Sequence, residues 1–277
     1  MAPGVDIPRC QIENTTITIP NQSLKEPTIT IESLTTTPIT PTQQTNTTTL
    51  VLHPTFITTD FDLLRFHAAA HDQLPKPSTA IDHQIPTSDS PAYSTNLISS
   101  PYNNAGHYLD LTTLPLPSLL FAKALTALKP RTPEYATAEY TEALNFDEVR
   151  EVLRNLVAAE NKLNGFSWPK TSFYAVVFRS QLKEGTDNDY LYKLDYESHR
   201  EACESGGLLK YWFGAADSER RNLATCFWHS REDAYKGGLG PWHVKARRAG
   251  RELYETIVFS TWRFVVEEGG REWRIEE

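Results

Sequence analysis

The sequence is poor in cysteine: Cys10, Cys203 and Cys226 are its only thiols in 277 residues. An odd number at unrelated spacings gives neither a disulfide framework nor a C-x-x-C metal knuckle, so these thiols read as reduced. No window holds the roughly 18 apolar residues needed to cross a bilayer, and the start, MAPGVDIPRC, lacks the apolar core of a secretory signal. The expected location is the cytoplasm, with the nucleus also open. Cations are outnumbered, 27 Lys and Arg against 35 Asp and Glu. The net charge of −8 opposes attraction to phosphate backbones or anionic lipid, so neither nucleic acid nor membrane is an expected partner. There is also no G-x-G-x-x-G, P-loop, G-x-S-x-G or zinc pattern, which argues against the commonest nucleotide-dependent and hydrolase mechanisms.

What is present is large rings. The chain carries 12 Tyr, 12 Phe and 6 Trp, enough to supply much of a core, and its length suits one large or two small domains. Residues 1–48 are dominated by Thr, Pro, Asn and Gln and are expected to be a disordered leader. Residues 49–165 are expected to be mostly helical and to pack on a sheet. Within them LVLHPTFIT reads as a strand, FDLLRFHAAAHDQL and PSLLFAKALTAL as helices, and 75–105 as a long surface excursion. In NFDEVREVLRNLVAAENKLNG, the stripe Val149, Val152, Leu153, Leu156, Val157 and Leu163 predicts a helix, capped by Asn145 or Asp147 and closed by Gly165.

From residue 166 to 277 the order becomes strand, helix, strand, strand, helix, strand. SFYAVVFRSQL is a β-branched and aromatic strand, and the next helix is expected to begin near Asp195 and stop at Gly206-Gly207. LLKYWFG and NLATCFWHS follow as strands, PWHVKARRAGRELYET as a helix and IVFSTWRFVVEE as the last strand. This predicts an α+β protein: a ferredoxin-like β-α-β-β-α-β C-terminal domain with an α-rich N-terminal extension. Apolar residues occur at both parities of the first strand, Phe173 and Val177 against Tyr174, Val176 and Phe178, so both sheet faces need cover. The helices cover one face; a second copy in a homodimer, or residues 50–163, can cover the other.

CFWHS, REDA, the glycines after it and P-W-H opening the second helix give this half a resemblance to the dimeric α/β-barrel superfamily, which includes antibiotic-biosynthesis-type monooxygenases. From FDLLRFHAAAHD through SGGLLKYWFG, RRNLATCFWHS and GPWHVKARRAG, the chain resembles an uncharacterised family of fungal proteins. The first resemblance implies a fold and permits His243 as a general base or axial ligand. The second implies no activity.

Among the residues that can carry chemistry, His243 stands first, presented by Pro241 after Gly237, Gly238 and Gly240; the plain alternative is local packing. His229 shares a strand face with Leu223, Thr225 and Phe227. Arg179 on the first strand can hold a carboxylate or enolate while a histidine moves the proton, or it can pair with an acid across the sheet. Tyr211, Phe227, Trp228 and Trp242 can line an apolar ligand pocket, although core is the default for strand-borne rings. His67 and His71 lie at i and i+4 of a candidate helix, a weak metal pair with no third ligand. No cofactor is expected. The leading reading is therefore a small-molecule-binding protein, a cofactor-independent oxygenase, isomerase or cyclase. The alternatives are a non-catalytic binding or scaffold protein, and a haem or metal protein.

Overall fold

The computed structural model describes residues 96–102 and 105–277. The leader, the strand after Leu50 and the helix bearing His67 and His71 lie outside the described residues.

The described chain opens with a short antiparallel pair, β1 (Asn96–Ile98) and β2 (Tyr108–Asp110). The surface excursion expected here differs from what is found: Leu97, Ile98 and Tyr102 are 0%, 1% and 3% exposed. An apolar pair and a ring within a polar stretch are enough to anchor it.

Helices α1 (Leu116–Ala124), α2 (Tyr140–Ala143) and α3 (Phe146–Asn164) follow. The α3 stripe is buried from Val149 to Val157, whereas Leu163 stands 42% exposed in the last turn. Gly165 closes the helix in the left-handed conformation, φ 68°, which favours glycine. Asn145 precedes the helix without capping it. Its amide donates to the Ala127 carbonyl and to Glu148, and its Oδ1 accepts from the Lys129 N–H at 2.7 Å, tying α3 to the segment after α1.

Next come β3 (Thr171–Leu182), α4 (Asn188–Ser205), β4 (Leu208–Phe213), β5 (Arg221–Trp228), α5 (Arg231–Gly237), α6 (Pro241–Leu253), β6 (Tyr254–Val266) and β7 (Trp273–Glu276). Two of these, α5 and β7, are additions to the expected pattern. Helix α4 begins seven residues before the expected Asp195, because Asp187 takes the cap: its carboxylate accepts from the Tyr190 N–H at 3.0 Å.

The sheet order is β4-β5-β3-β6-β7, every neighbour antiparallel. Numbered within the β-α-β-β-α-β unit, the first four strands run 2-3-1-4. This is the ferredoxin-like arrangement, so the molecule is an α+β protein with that domain at its C-terminal end.

Alternate residues of β3 report the two faces. Phe173, Ala175 and Val177 are at most 1% exposed and share a core with Leu120 and Phe121 of α1, Tyr140 of α2 and Val149, Val152 and Leu153 of α3. Phe121 stacks on Phe173 with centroids 4.1 Å apart. The chain's own α1 to α3 thus fill the face that a second copy was a candidate to cover. On the opposite face lie α4 and α6, packed through Leu191, Leu194, Ala246, Ala249 and Leu253 against Leu182 and Ile257.

Candidate functional site

Helix α4 turns a mixed face toward the sheet. Its buried positions Leu191, Leu194, Ser198, His199 and Ala202 recur at three- and four-residue steps. Asp195, His199 and Cys203 are each one turn apart along this side.

Asp195 is the centre of a hydrogen-bonded group. One carboxylate oxygen accepts from the Tyr211 hydroxyl at 2.7 Å and the other from the Tyr102 hydroxyl. Desolvation pushes its carboxyl up to about 7, although both phenols pull it down. The Tyr211 hydroxyl is held well above its ordinary pKa by burial and by Asp195.

Beside it, the Nδ1 atoms of His107 and His199 lie 2.8 Å apart in parallel rings, so one imidazole donates and the other accepts. Burial and the Arg200 charge lower His107 to about 4. Burial, then His107 and His243, push His199 well below the ordinary value. Both rings are therefore neutral near pH 7. The Nε2 atom of His107 is buried without a hydrogen-bond partner among the described residues. Cys203 Sγ lies 3.7 Å from His199 Nδ1, and burial pushes that thiol up to about 12, so it is no nucleophile at neutral pH.

His243 stands in the first turn of α6, held by Glu201 of α4. Glu201 Oε1 accepts from the Trp242 N–H at 2.7 Å, while Oε2 accepts from the His243 N–H at 3.1 Å and from its Nδ1 at 3.0 Å. One carboxylate thus caps the helix and fixes a tautomer, with the proton on Nδ1 and the Nε2 lone pair free. Burial raises the Glu201 carboxyl, but its two backbone donors and His243 outweigh that and hold it low. Burial lowers the His243 pKa against the pull of Glu201, which leaves a neutral base.

The floor beneath is half open. Tyr174, Val176 and Phe178 occupy the middle of the sheet yet are only half-buried, as are Cys226, Phe259, Trp242 and His243. Phe178 and Cys226 pack against Tyr102 and Tyr211, so this apolar floor is continuous with the Asp195 group.

The structure does not bring Arg179 and His229 to this place. Both lie on the face filled by α1 to α3. Arg179 pairs with Leu223 across the sheet, six residues from His229, or about 20 Å at roughly 3.3 Å per residue. Its guanidinium donates to the carbonyl of Ala136 at 2.6 Å and to that of Ala138. This replaces the expected acid across the sheet: carbonyls of the irregular segment before α2, those of Tyr135, Ala136 and Ala138, need donors, and a cation meets them. His229 Nδ1 lies 2.6 Å from Ser118 Oγ of α1.

The four expected pocket rings also divide. Phe227 belongs to the core under α1, 5.3 Å from Phe264, and so is a packing residue. Tyr211 and Trp228 are buried on the helix face, and Trp242 is covered by Lys245 Nζ at 3.8 Å. Among the described residues, no three His, Cys, Asp or Glu side chains are grouped to hold a metal ion, and no helix is long and apolar enough to cross a membrane.

The strand order and the helix-face group define a ferredoxin-like α+β protein with a two-part polar centre. The chain belongs to the PB2B2.08-like family, whose model matches residues 98–277. Its relative in Schizosaccharomyces pombe, UPF0643 protein PB2B2.08, is 36% identical over 179 residues, covering 62% of this chain and 80% of the relative. Solved structures similar to this chain include Rv0793 of Mycobacterium tuberculosis, 14% identical, covering 32% of this chain and 91% of that one, with a TM-score of 0.29. Another, from Chloroflexus aurantiacus and named as an antibiotic biosynthesis monooxygenase, is 21% identical, covering 32% and 89%, with a TM-score of 0.27.

Proposed function

We propose that the protein binds an apolar, polarisable small molecule on the half-open helix face and moves a proton on it without a cofactor, as an isomerase or cyclase does. The observation that carries this is the Glu201–His243 pair: a carboxylate holds the imidazole Nδ1 at 3.0 Å, leaving Nε2 as a positioned base beside an apolar floor. Asp195 supplies the second half, a buried carboxyl that titrates near neutrality and is held in place by the hydroxyls of Tyr102 and Tyr211. A cytoplasmic setting suits the free thiols of Cys203 and Cys226. This reading needs no second copy to cover the sheet.

A specific observation favours the non-catalytic alternative. Arg179 and His229 are each committed to a partner within the fold, backbone carbonyls and Ser118, so part of the polar inventory is structural.

The test is a ligand census. Protein purified gently from a fungal extract is analysed for bound small molecules by mass spectrometry, and the recovered compound is incubated with fresh protein in deuterium oxide. A stoichiometric ligand that takes up solvent deuterium with wild type, but not with His243→Gln, supports proton transfer. An empty protein, whose His243→Gln and Asp195→Asn variants differ only in stability, moves the conclusion to a binding or scaffold protein.

A further inference from the structure

Helix α6 presents a second feature on its outward side. Over Pro241–Leu253 its charged residues are Lys245, Arg247, Arg248 and Arg251 against one carboxylate, Glu252, so its formal charge is 4 − 1 = +3 in a chain whose net charge is −8. All four cations are exposed.

Cations elsewhere on the described surface are mostly paired with acids. Lys129, Arg131, Arg150, Arg154 and Lys170 form ion pairs on and around α3, and Arg263 and Arg274 do so at the C-terminal edge. The four of α6 form none with the described residues. Lys245 lies over the Trp242 ring, and Arg247 donates to the Gly238 carbonyl at 2.7 Å, which fixes its stem against the α5–α6 connection. In and beside that connection, Tyr235 and Leu239 are 69% and 56% exposed, the two most exposed large apolar side chains among the described residues. A merely solvated charged face does not need them.

We propose that the outward face of α6, with Tyr235 and Leu239 at its N-terminal end, is a docking surface for a short acidic peptide segment carrying an apolar side chain. Charge complementarity selects an acidic partner, and the exposed Tyr235 and Leu239 select one with a hydrophobic anchor. Screening selects a short one. At physiological salt, exposed charges more than about 8 Å away are largely screened, so a short segment meets the +3 helix and α5 beside it, where Arg231 and Lys236 balance Glu232 and Asp233. An extended polyanion, a duplex or a lipid surface, also meets the acidic remainder of the chain. The inference does not rest on the proton-transfer reading, although Arg247 lies close enough to His243 to act on its charge.

The experiment uses the full-length protein and a fluorescein-labelled twelve-residue probe of Asp and Glu with one Leu and one Phe, followed by anisotropy at low and high salt. Saturable binding is expected, weakening about ten-fold or more from about 50 to about 500 mM salt. The double variant Arg248→Glu/Arg251→Glu is expected to lose at least about ten-fold in affinity, and Leu239→Ser a smaller factor. Arg154→Glu, on α3, is the control and retains binding. Absence of saturable binding at low salt, equal loss in Arg154→Glu, or tighter binding to phosphatidylserine vesicles than to the probe would each overturn the proposal.

Discussion

Phe121→Ala tests the most consequential feature of the architecture, that the sheet face opposite α4 and α6 is closed by the chain's own α1 to α3. Phe121 is fully buried. Its ring stacks on Phe173 at 4.1 Å and meets Phe227, Phe264 and Trp273 at 6.2, 6.3 and 6.4 Å. Removing it takes away contacts with three strands, β3, β5 and β6, and with the edge strand β7. Close packing leaves little freedom for these neighbours to collapse into the gap.

Truncating a buried Phe to Ala costs about 3–5 kcal/mol, the transfer term plus the cavity. With a urea slope of about 2 kcal/mol per M, the midpoint should fall by about 1.5–2.5 M. For a unit of this size each kcal/mol is worth about 2–4 °C, so Tm should fall by roughly 6–20 °C. The assay is urea unfolding followed by tryptophan fluorescence at two protein concentrations well apart. Were the face covered by a second copy instead, the loss would be below about 1 kcal/mol and the midpoint would move with protein concentration. That result would refute the reasoning. If Phe121→Ala does not accumulate as folded protein, Phe121→Leu gives the same comparison at a smaller cost.

Three further outcomes follow from particular contacts. Asp195 has a folded pKa raised to about 7 above its ordinary 3.8, so its contribution is fully present below about pH 4 and is lost as pH rises through 7. The stability advantage of wild type over Asp195→Asn should therefore shrink between pH 5 and pH 8 in urea titrations, and a pH-independent difference would contradict the assignment. Gly237→Ala places a Cβ 2.2 Å from the Trp228 ring, so thermal melts should show a loss of about 1–3 kcal/mol despite the better helix propensity of alanine. Val177 is 1% exposed whereas its neighbour Val176 is half-buried. Val177→Ala should accordingly cost at least about 1 kcal/mol more than Val176→Ala in chemical denaturation, equal costs ruling out an open helix face.

The order of strands and helices was legible because each strand is an apolar run bounded by turn residues, and because apolar residues at both parities of β3 announce two covered faces. Which cover was used was not legible: Phe121 and Phe173 meet across dozens of residues with no local signal. His243 was visible through Pro241 and the preceding glycines. Its partner Glu201 lies 42 residues away, and nothing in the local pattern ties the two. Asp195, His199 and Cys203 did carry a signal, a repeat of four along α4. A helix expected to begin near Asp195 leaves that residue at its end and hides the repeat, whereas Asp187, with Asp189 in the first turn after it, is the cap. Tyr102 and His107 were beyond reach, as they contact α4 residues 93 and 92 positions away, Tyr102 from within the stretch that reads as surface loop and His107 from just after it.

These two kinds of miss have one physical origin. Local spacing encodes which side of a helix or strand is buried, because period alone decides it. It does not encode which buried sides meet, because that depends on tertiary packing. The consequence for function is specific. Once α1 to α3 fill one face of the sheet, Arg179 and His229 on that face are spent on carbonyls and on Ser118. The face left for a ligand is the one where β3 shows Tyr174, Val176 and Phe178 half-buried. There Glu201 fixes His243 in one tautomer while Asp195 is held by two phenols. A fold that needed only packing on that face would be served by apolar residues at positions 195 and 199. Placing a carboxyl and an imidazole there costs desolvation, and the proposed proton transfer is a use that would offset such a cost.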